Sequence, residues 1–182
     1  NSGKEVVAIT RRGDAKFLRE RANRGNLVAA LGRRARWRSI HIACHGLLHR
    51  QSPALSSLAL SPAKGDDGFL RALDVLELDC AADLVVLSAC DVGRGRVRQG
   101  EGLMGLTRAF MAAGAPRVLV ALHPVDDEAT QVLMEHFYAF WRDGKTSAAQ
   151  ALRLAQSKVA AAKPRWKHPY YWASWVLWGL SD

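Results

Sequence analysis

Three short apolar runs, each followed by a turn and then by a helix-type segment, constrain this chain more than any other feature. The first is Ser39-Ile40-His41-Ile42-Ala43-Cys44, and the second is Ala82-Asp83-Leu84-Val85-Val86-Leu87-Ser88-Ala89. The third runs from Arg117 to Leu122. Such runs are too short for helices and too continuously apolar for strands wetted on one face, so they read as strands buried on both sides. Alternation with helical segments predicts an α/β fold, a mostly parallel central sheet with helices on both faces.

The rest of the chain divides around these runs. Glu5–Thr10 reads as a strand on its Val and Ile content. Asp14 is expected to cap a helix carrying Phe17 and Leu18, and Asn26 a second helix with Leu27, Val28 and Leu31. Residues 47–68 are loop-like around a small apolar piece, Leu58-Ala59-Leu60, and 73–78 is a helical turn. Residues 91–102, rich in Gly and Arg, form a second loop. Helices are predicted over 103–113, from Asp126 or Asp127 to Trp141, and from Thr146 or Ser147 to about 161. A Trp-rich strand over 171–180 closes the chain.

Length and composition narrow the class. At 182 residues with 49% hydrophobic and 24% charged, the chain has room for one ordinary globular core. No apolar run approaches the ~20 residues of a membrane span, and residues 1–30 lack a signal-peptide core. Three cysteines at irregular spacing form no disulfide framework, which points to a reducing cytoplasm. Residues 1–50 hold 12 Lys/Arg against 3 Asp/Glu, while the remaining 132 hold 14 of each. A basic third of this kind is a candidate nucleic-acid surface. The arginines fall across helix-like stretches without interleaved aromatics, however, so a solvated or protein-facing surface is the better expectation. The chain does not begin with Met, and reads as the C-terminal part of something longer.

The chemistry gathers where two of the strands end. His45-Gly46 follows the first run and Cys90 the second. If the two strands are parallel neighbours, an imidazole and a thiol emerge together at the carboxyl edge of the sheet, where open α/β sheets place their sites. Together they form a nucleophile and its base. The amides of Gly46 and Cys90 are candidate oxyanion donors. The competing reading of Cys90 is a small buried hydrophobe. His41 reads as a satisfied core or interface group, Cys44 and Cys80 as packing, and His49 and His168 as loop residues. A zinc site from His41, Cys44, His45 and Cys90 fails on spacing, because i and i+4 on a strand stand about 13 Å apart. No metal or cofactor is expected. Neither a P-loop nor a dinucleotide fingerprint is present.

Five segments in order carry a family resemblance: HIACHG, ADLVVLSACDVG, QGEGLMGLTRAFMAAGA, PVDDEAT and HPYYWASWVLWG. Together, over about residues 38–180, they resemble the CHAT domain, a caspase-like protease module associated with tetratricopeptide repeats and related to separase. The resemblance implies a caspase-like three-layer sandwich and a cysteine endopeptidase with a His/Cys dyad, here His45 and Cys90, with Gly46 and the Cys90 amide as oxyanion site. It implies a protein substrate, a tetratricopeptide-repeat or other regulatory region in the same polypeptide or complex, no membrane and no direct nucleic-acid binding. His123 stands where relatives usually carry Trp before Pro-Val-Asp, so it is a candidate substrate-facing residue. Asp91, Glu101, Asp126 and Asp127 are candidate acceptors for a basic P1 side chain, with helix capping the stronger expectation for the last two. The whole of 1–182 is read as one CHAT domain, a basic lead-in of strand and helices over 1–37 and a catalytic core over 38–182. Autocleavage after Arg94, Arg96 or Arg98 is a further expectation.

Overall fold

A computed structural model describes residues 2–49, 51–91 and 100–180. Six strands form one sheet in the order β3-β2-β1-β4-β5-β6: β1 Ile40–Leu47, β2 Ser57–Ala59, β3 Phe69–Arg71, β4 Val85–Asp91, β5 Arg117–Ala121 and β6 Trp175–Gly179. The central pairs β1/β4 and β4/β5 are parallel. The pairs β1/β2, β2/β3 and β5/β6 are antiparallel, so the parallel centre is flanked by antiparallel edges. Among the described residues six α-helices surround it: α1 Ser2–Ile9, α2 Arg24–Leu31, α3 Ala72–Leu76, α4 Gly100–Ala112, α5 Asp127–Trp141 and α6 Ala148–Ala162.

The period of two along the central strands builds two cores. Leu84 and Val86 of β4 and Leu119 of β5 pack with Leu133 and Phe137 of α5 and Ala155 of α6. The alternate residues Val85, Leu87, Val118 and Val120 pack on the other face with Leu106 and Phe110 of α4 and Val75 of α3. All of these are at most 1% exposed, and each such aliphatic or aromatic side chain contributes roughly 1.5–3 kcal/mol on burial. Three layers result, as the caspase-like reading expects. Among the described residues no helix is long and apolar enough to cross a membrane.

Caps and glycines set the boundaries. The Asp126 carboxylate accepts from Ala129 N–H at 2.9 Å to start α5. Ser147 and Gln150 form a reciprocal capping box on α6. Gly179 ends β6 at φ +113°, and a Cβ there would lie 2.0 Å from the Pro116 carbonyl oxygen, so only glycine closes that edge.

Several local expectations need correction. Glu5–Thr10 is not a strand: residues 2–9 are helical. Strand periodicity would place Glu5, Val7 and Ile9 together, whereas the helix buries Glu5 and Ile9 at i,i+4 and leaves Val7 52% exposed. Burial of one helical face outweighs the β-propensity of Val and Ile. Asp14 starts no helix; it accepts from Arg11 N–H in a turn, and Phe17 and Leu18 precede only a 3-10 turn at Arg19–Arg21. The cap of α2 is Asn23, whose side chain accepts from Asn26 N–H at 2.9 Å. Leu58 and Ala59 of the apolar piece lie in strand β2, with Leu60 just beyond it, and β3 has no counterpart among the expected elements because three residues show no period. The last strand is shorter than expected, since Pro169–Tyr171 forms a 3-10 turn.

Candidate active site at the carboxyl edge of the sheet

Parallel pairing of β1 with β4 sets His45 opposite Cys90 and Gly46 opposite Asp91. The imidazole and the cysteine thus stand side by side on adjacent strands, at the edge where both chains leave the sheet. His45 is exposed and Gly46 is buried. Ile40 N–H donates to Leu84 C=O at 3.0 Å, and alternation along β1 places the Gly46 N–H on that same side, toward β4. The side chains of Cys90, Asp91 and Glu101 and the whole segment 92–99, with the expected cleavage points at Arg94, Arg96 and Arg98, lie outside the described residues.

The segments that follow the two strands hold each other. A Cβ on Gly102 of α4 would come within 2.8 Å of Ser56 Oγ and 2.9 Å of Leu48 Cβ. A Cβ on Gly105 would come within 2.6 Å of the Pro53 carbonyl oxygen. The chain beyond His45 therefore lies directly on the helix beyond Cys90, at a distance only glycine permits. His49 is absorbed into that loop: its N–H donates to Ser56 Oγ, and its Nδ1 accepts from Ser52 N–H, both at 3.0 Å.

His41 has a different task. Its Nε2 is 3.0 Å from Glu5 Oε1, its Nδ1 is 3.1 Å from the Tyr138 hydroxyl, and Ser88 Oγ donates to Glu5 Oε2 at 2.9 Å. A carboxylate only accepts, so Nε2 carries a hydrogen. Burial pushes the Tyr138 phenol up, so its hydroxyl keeps its proton beside Nδ1. This closed network joins α1, β1, β4 and α5. The core-group reading of His41 holds; its carboxylate partner was not foreseen, because the sequence reading took Glu5 into a strand.

Two of the three cysteines are poor nucleophiles. Burial pushes the Cys44 thiol from 9.0 to about 12 and the Cys80 thiol to about 11. Cys44 packs with Ile42 on the face opposite His41, so the zinc ligand types around β1 do not converge.

The remaining expected positions sort by place. His123, two residues past β5, lies at the same sheet edge and stacks on Tyr170 with ring centroids 5.5 Å apart and planes at 15°. Its Nδ1 lies 3.0 Å from the Pro124 carbonyl oxygen. Tyr170 is 46% exposed, so the pair forms a surface wall instead of core. Asp126 acts as the α5 cap, as capping preference anticipated. His168 caps the 3-10 turn before Tyr171. Much of the basic lead-in is spent within the chain: Arg36 pairs with Asp83, Arg24 with Asp74, and Arg34 and Arg38 sit 4.7 Å over Trp37 and Trp141. Trp141 comes from α5, and Trp37, between Arg36 and Arg38, corrects the expectation that no aromatic is interleaved with these arginines.

A layered α/β sandwich with histidine and cysteine ending adjacent parallel strands defines the class as caspase-like. The CHAT domain model matches residues 2–180, and the chain belongs to that family, which is related to caspase-like proteases. The match begins at residue 2, so the helices ahead of β1 belong to the family domain. The chain is similar to mouse tetratricopeptide repeat protein 28, with 42% identity over 113 residues, 60% of this chain and 4% of that protein. It is 40% identical to the human protein of that name over the same shares. The chain thus corresponds to about 4% of the length of these relatives.

Proposed function

We propose that this domain is a cysteine endopeptidase in which Cys90 is the nucleophile and His45 the acid and base. The observation that carries this reading is the His45–Cys90 register on adjacent parallel strands. The raised thiols of Cys44 and Cys80 support it by leaving Cys90 as the remaining candidate. The Cys90 thiolate attacks a peptide carbonyl carbon, and the family resemblance assigns the resulting oxyanion to the amides of Gly46 and Cys90, which must part from the β1/β4 ladder to hold it. The C–N bond breaks as His45 gives a proton to the leaving amine. Water then hydrolyses the acyl-enzyme, His45 taking its proton and the thiolate departing. Asp91, Glu101 and the His123–Tyr170 wall border the substrate, and Asp126 serves chiefly as a cap. Control by a tetratricopeptide-repeat region of the same polypeptide or complex, in the cytoplasm, completes the proposal; the names of the relatives support it.

A fluorogenic peptide library, read with wild type and Cys90→Ala, tests the assignment. Cleavage should disappear in Cys90→Ala while the thermal melt is retained. Undiminished cleavage in that variant overturns it. The similarity to repeat proteins favours one second reading, a silent interaction module. Failure of an electrophilic peptide probe to label Cys90 in the full-length protein would select that reading.

A further inference from the structure

The ladder between β1 and β4 ends at Gly46 and Asp91, one residue past the candidate dyad. From there on the exit of β1 is braced by α4, on the face of the sheet opposite the His45 side chain. α4 is tied to β4: Leu106 and Phe110 pack with Val85 and Leu87, and Cys80 N–H, ahead of β4, donates to Ala113 C=O at 2.7 Å. Contact with the exit of β1 runs through two glycines one helical turn apart. Gly102 meets Leu48, three residues past His45, together with Ser56, and Gly105 meets Pro53. The loop seated on them has little give. Ser56 is buried; its Oγ accepts from His49 N–H at 3.0 Å, its N–H donates to Pro53 C=O at 3.1 Å, and its C=O accepts from Ala72 N–H at 2.9 Å. Leu47 pairs with Ser57 at the base of the loop, so a displacement there reaches β1 directly.

We propose that Gly102 and Gly105 are positioning residues for the His45–Cys90 pair. Their missing side chains let α4 seat the loop 48–56, and the seated loop fixes the end of β1 against the end of β4. This inference rests on the endopeptidase reading and deepens it. Glycine weakens a helix, so two of them on the face that meets this loop mark a demand for close approach. The atoms in the way are the Pro53 carbonyl oxygen, 2.6 Å from a Cβ on Gly105, and Ser56 Oγ, 2.8 Å from a Cβ on Gly102. One is backbone and the other is held by His49 N–H, so neither swings aside. A methyl group on either glycine therefore shifts the loop, and the shift passes through Leu47 to His45. Misplacement by about 1 Å at a reacting pair costs up to about 10²-fold in rate. The loss falls on proton transfer and not on substrate binding.

The test measures peptide cleavage and thermal melts in the full-length protein for wild type, Cys90→Ala, Gly102→Ala and Gly105→Ala. Each glycine variant should lower kcat about tenfold or more, with KM within about twofold of wild type. The loss should persist at low temperature, where a merely loosened fold recovers its activity. If a glycine variant fails to fold, Ser56→Ala decides: it removes only the hydroxyl that rests on Gly102 and holds His49 N–H, and should lower kcat about threefold at unchanged KM. Folded glycine variants with wild-type kcat overturn the inference and leave the reading intact, since Cys90→Ala still abolishes cleavage. So does a loss that appears in KM alone or vanishes on cooling. Undiminished cleavage in Cys90→Ala, or none in wild type, overturns the reading and the inference together.

Discussion

His41 and His45 stand one helix-turn's worth of residues apart on the same strand, yet the middle of β1 and its carboxyl end make opposite use of the same side chain. The middle is covered by α1 and α5, and there both imidazole nitrogens are engaged, by Glu5 and by Tyr138. At the end no helix among the described residues covers His45, which is exposed in register with Cys90. Cover, more than residue type, decides whether a histidine on a strand is locked into a network or left at the surface. The cysteines repeat the lesson: Cys44, one residue from His45, faces inward and is held protonated.

Removing the imidazole at each of the two positions should separate them most sharply. His45→Gln should lower peptide cleavage by about 10²–10⁴-fold with an unchanged denaturant midpoint. His41→Ala should leave Glu5 short of a donor and cost about 2–3 kcal/mol in urea unfolding, with cleavage at low temperature retained. If His45→Gln destabilises the fold as much as His41→Ala does, the division fails.

Smaller changes probe the covered region. Tyr138→Phe, which removes only the hydroxyl facing Nδ1, should cost about 1 kcal/mol by the same measurement. Thiol titration gives a pH-dependent test. A thiol raised by burial keeps its proton in the folded state through the range where the unfolded chain loses it, so folding stability falls as pH rises from about 9 toward about 12. Cys44→Ala should flatten that fall, and mass spectrometry after alkylation at neutral pH should find Cys44 and Cys80 unmodified in the folded chain. Smallest of all, Arg38→Ala at the foot of β1 should cost about 0.5–1 kcal/mol through the lost contact over Trp141. A null result there would mean that the Arg38 contact over Trp141 adds nothing to the fold.

Legibility in the sequence followed the length and purity of each periodic signal. The runs around Ile42, Val86 and Leu119 announced buried strands, and Asp126 and Ser147 announced their helices, because capping and burial act within a few residues. Residues 1–31 read poorly. Val6, Val7 and Ile9 favour a strand locally, and only Tyr138, His41 and Ser88, distant in sequence, give Glu5 a reason to turn inward on a helix. The hairpin β2/β3 was equally hidden, since three-residue strands owe their existence to the edge they pair with. Among the candidate site residues, His45, Gly46 and Cys90 were legible as strand ends, while the His123–Tyr170 stack required two segments 47 residues apart to meet.

By itself the sequence determined the layered α/β class, the three buried parallel strands and the pair of residues that ends two of them, because hydrophobic period and local turn chemistry are written in contiguous residues. Tertiary structure alone decided which strands are neighbours, that His45 registers with Cys90, and which thiols are silenced by burial. Those are matters of pairing and cover, and both depend on groups far apart in the chain.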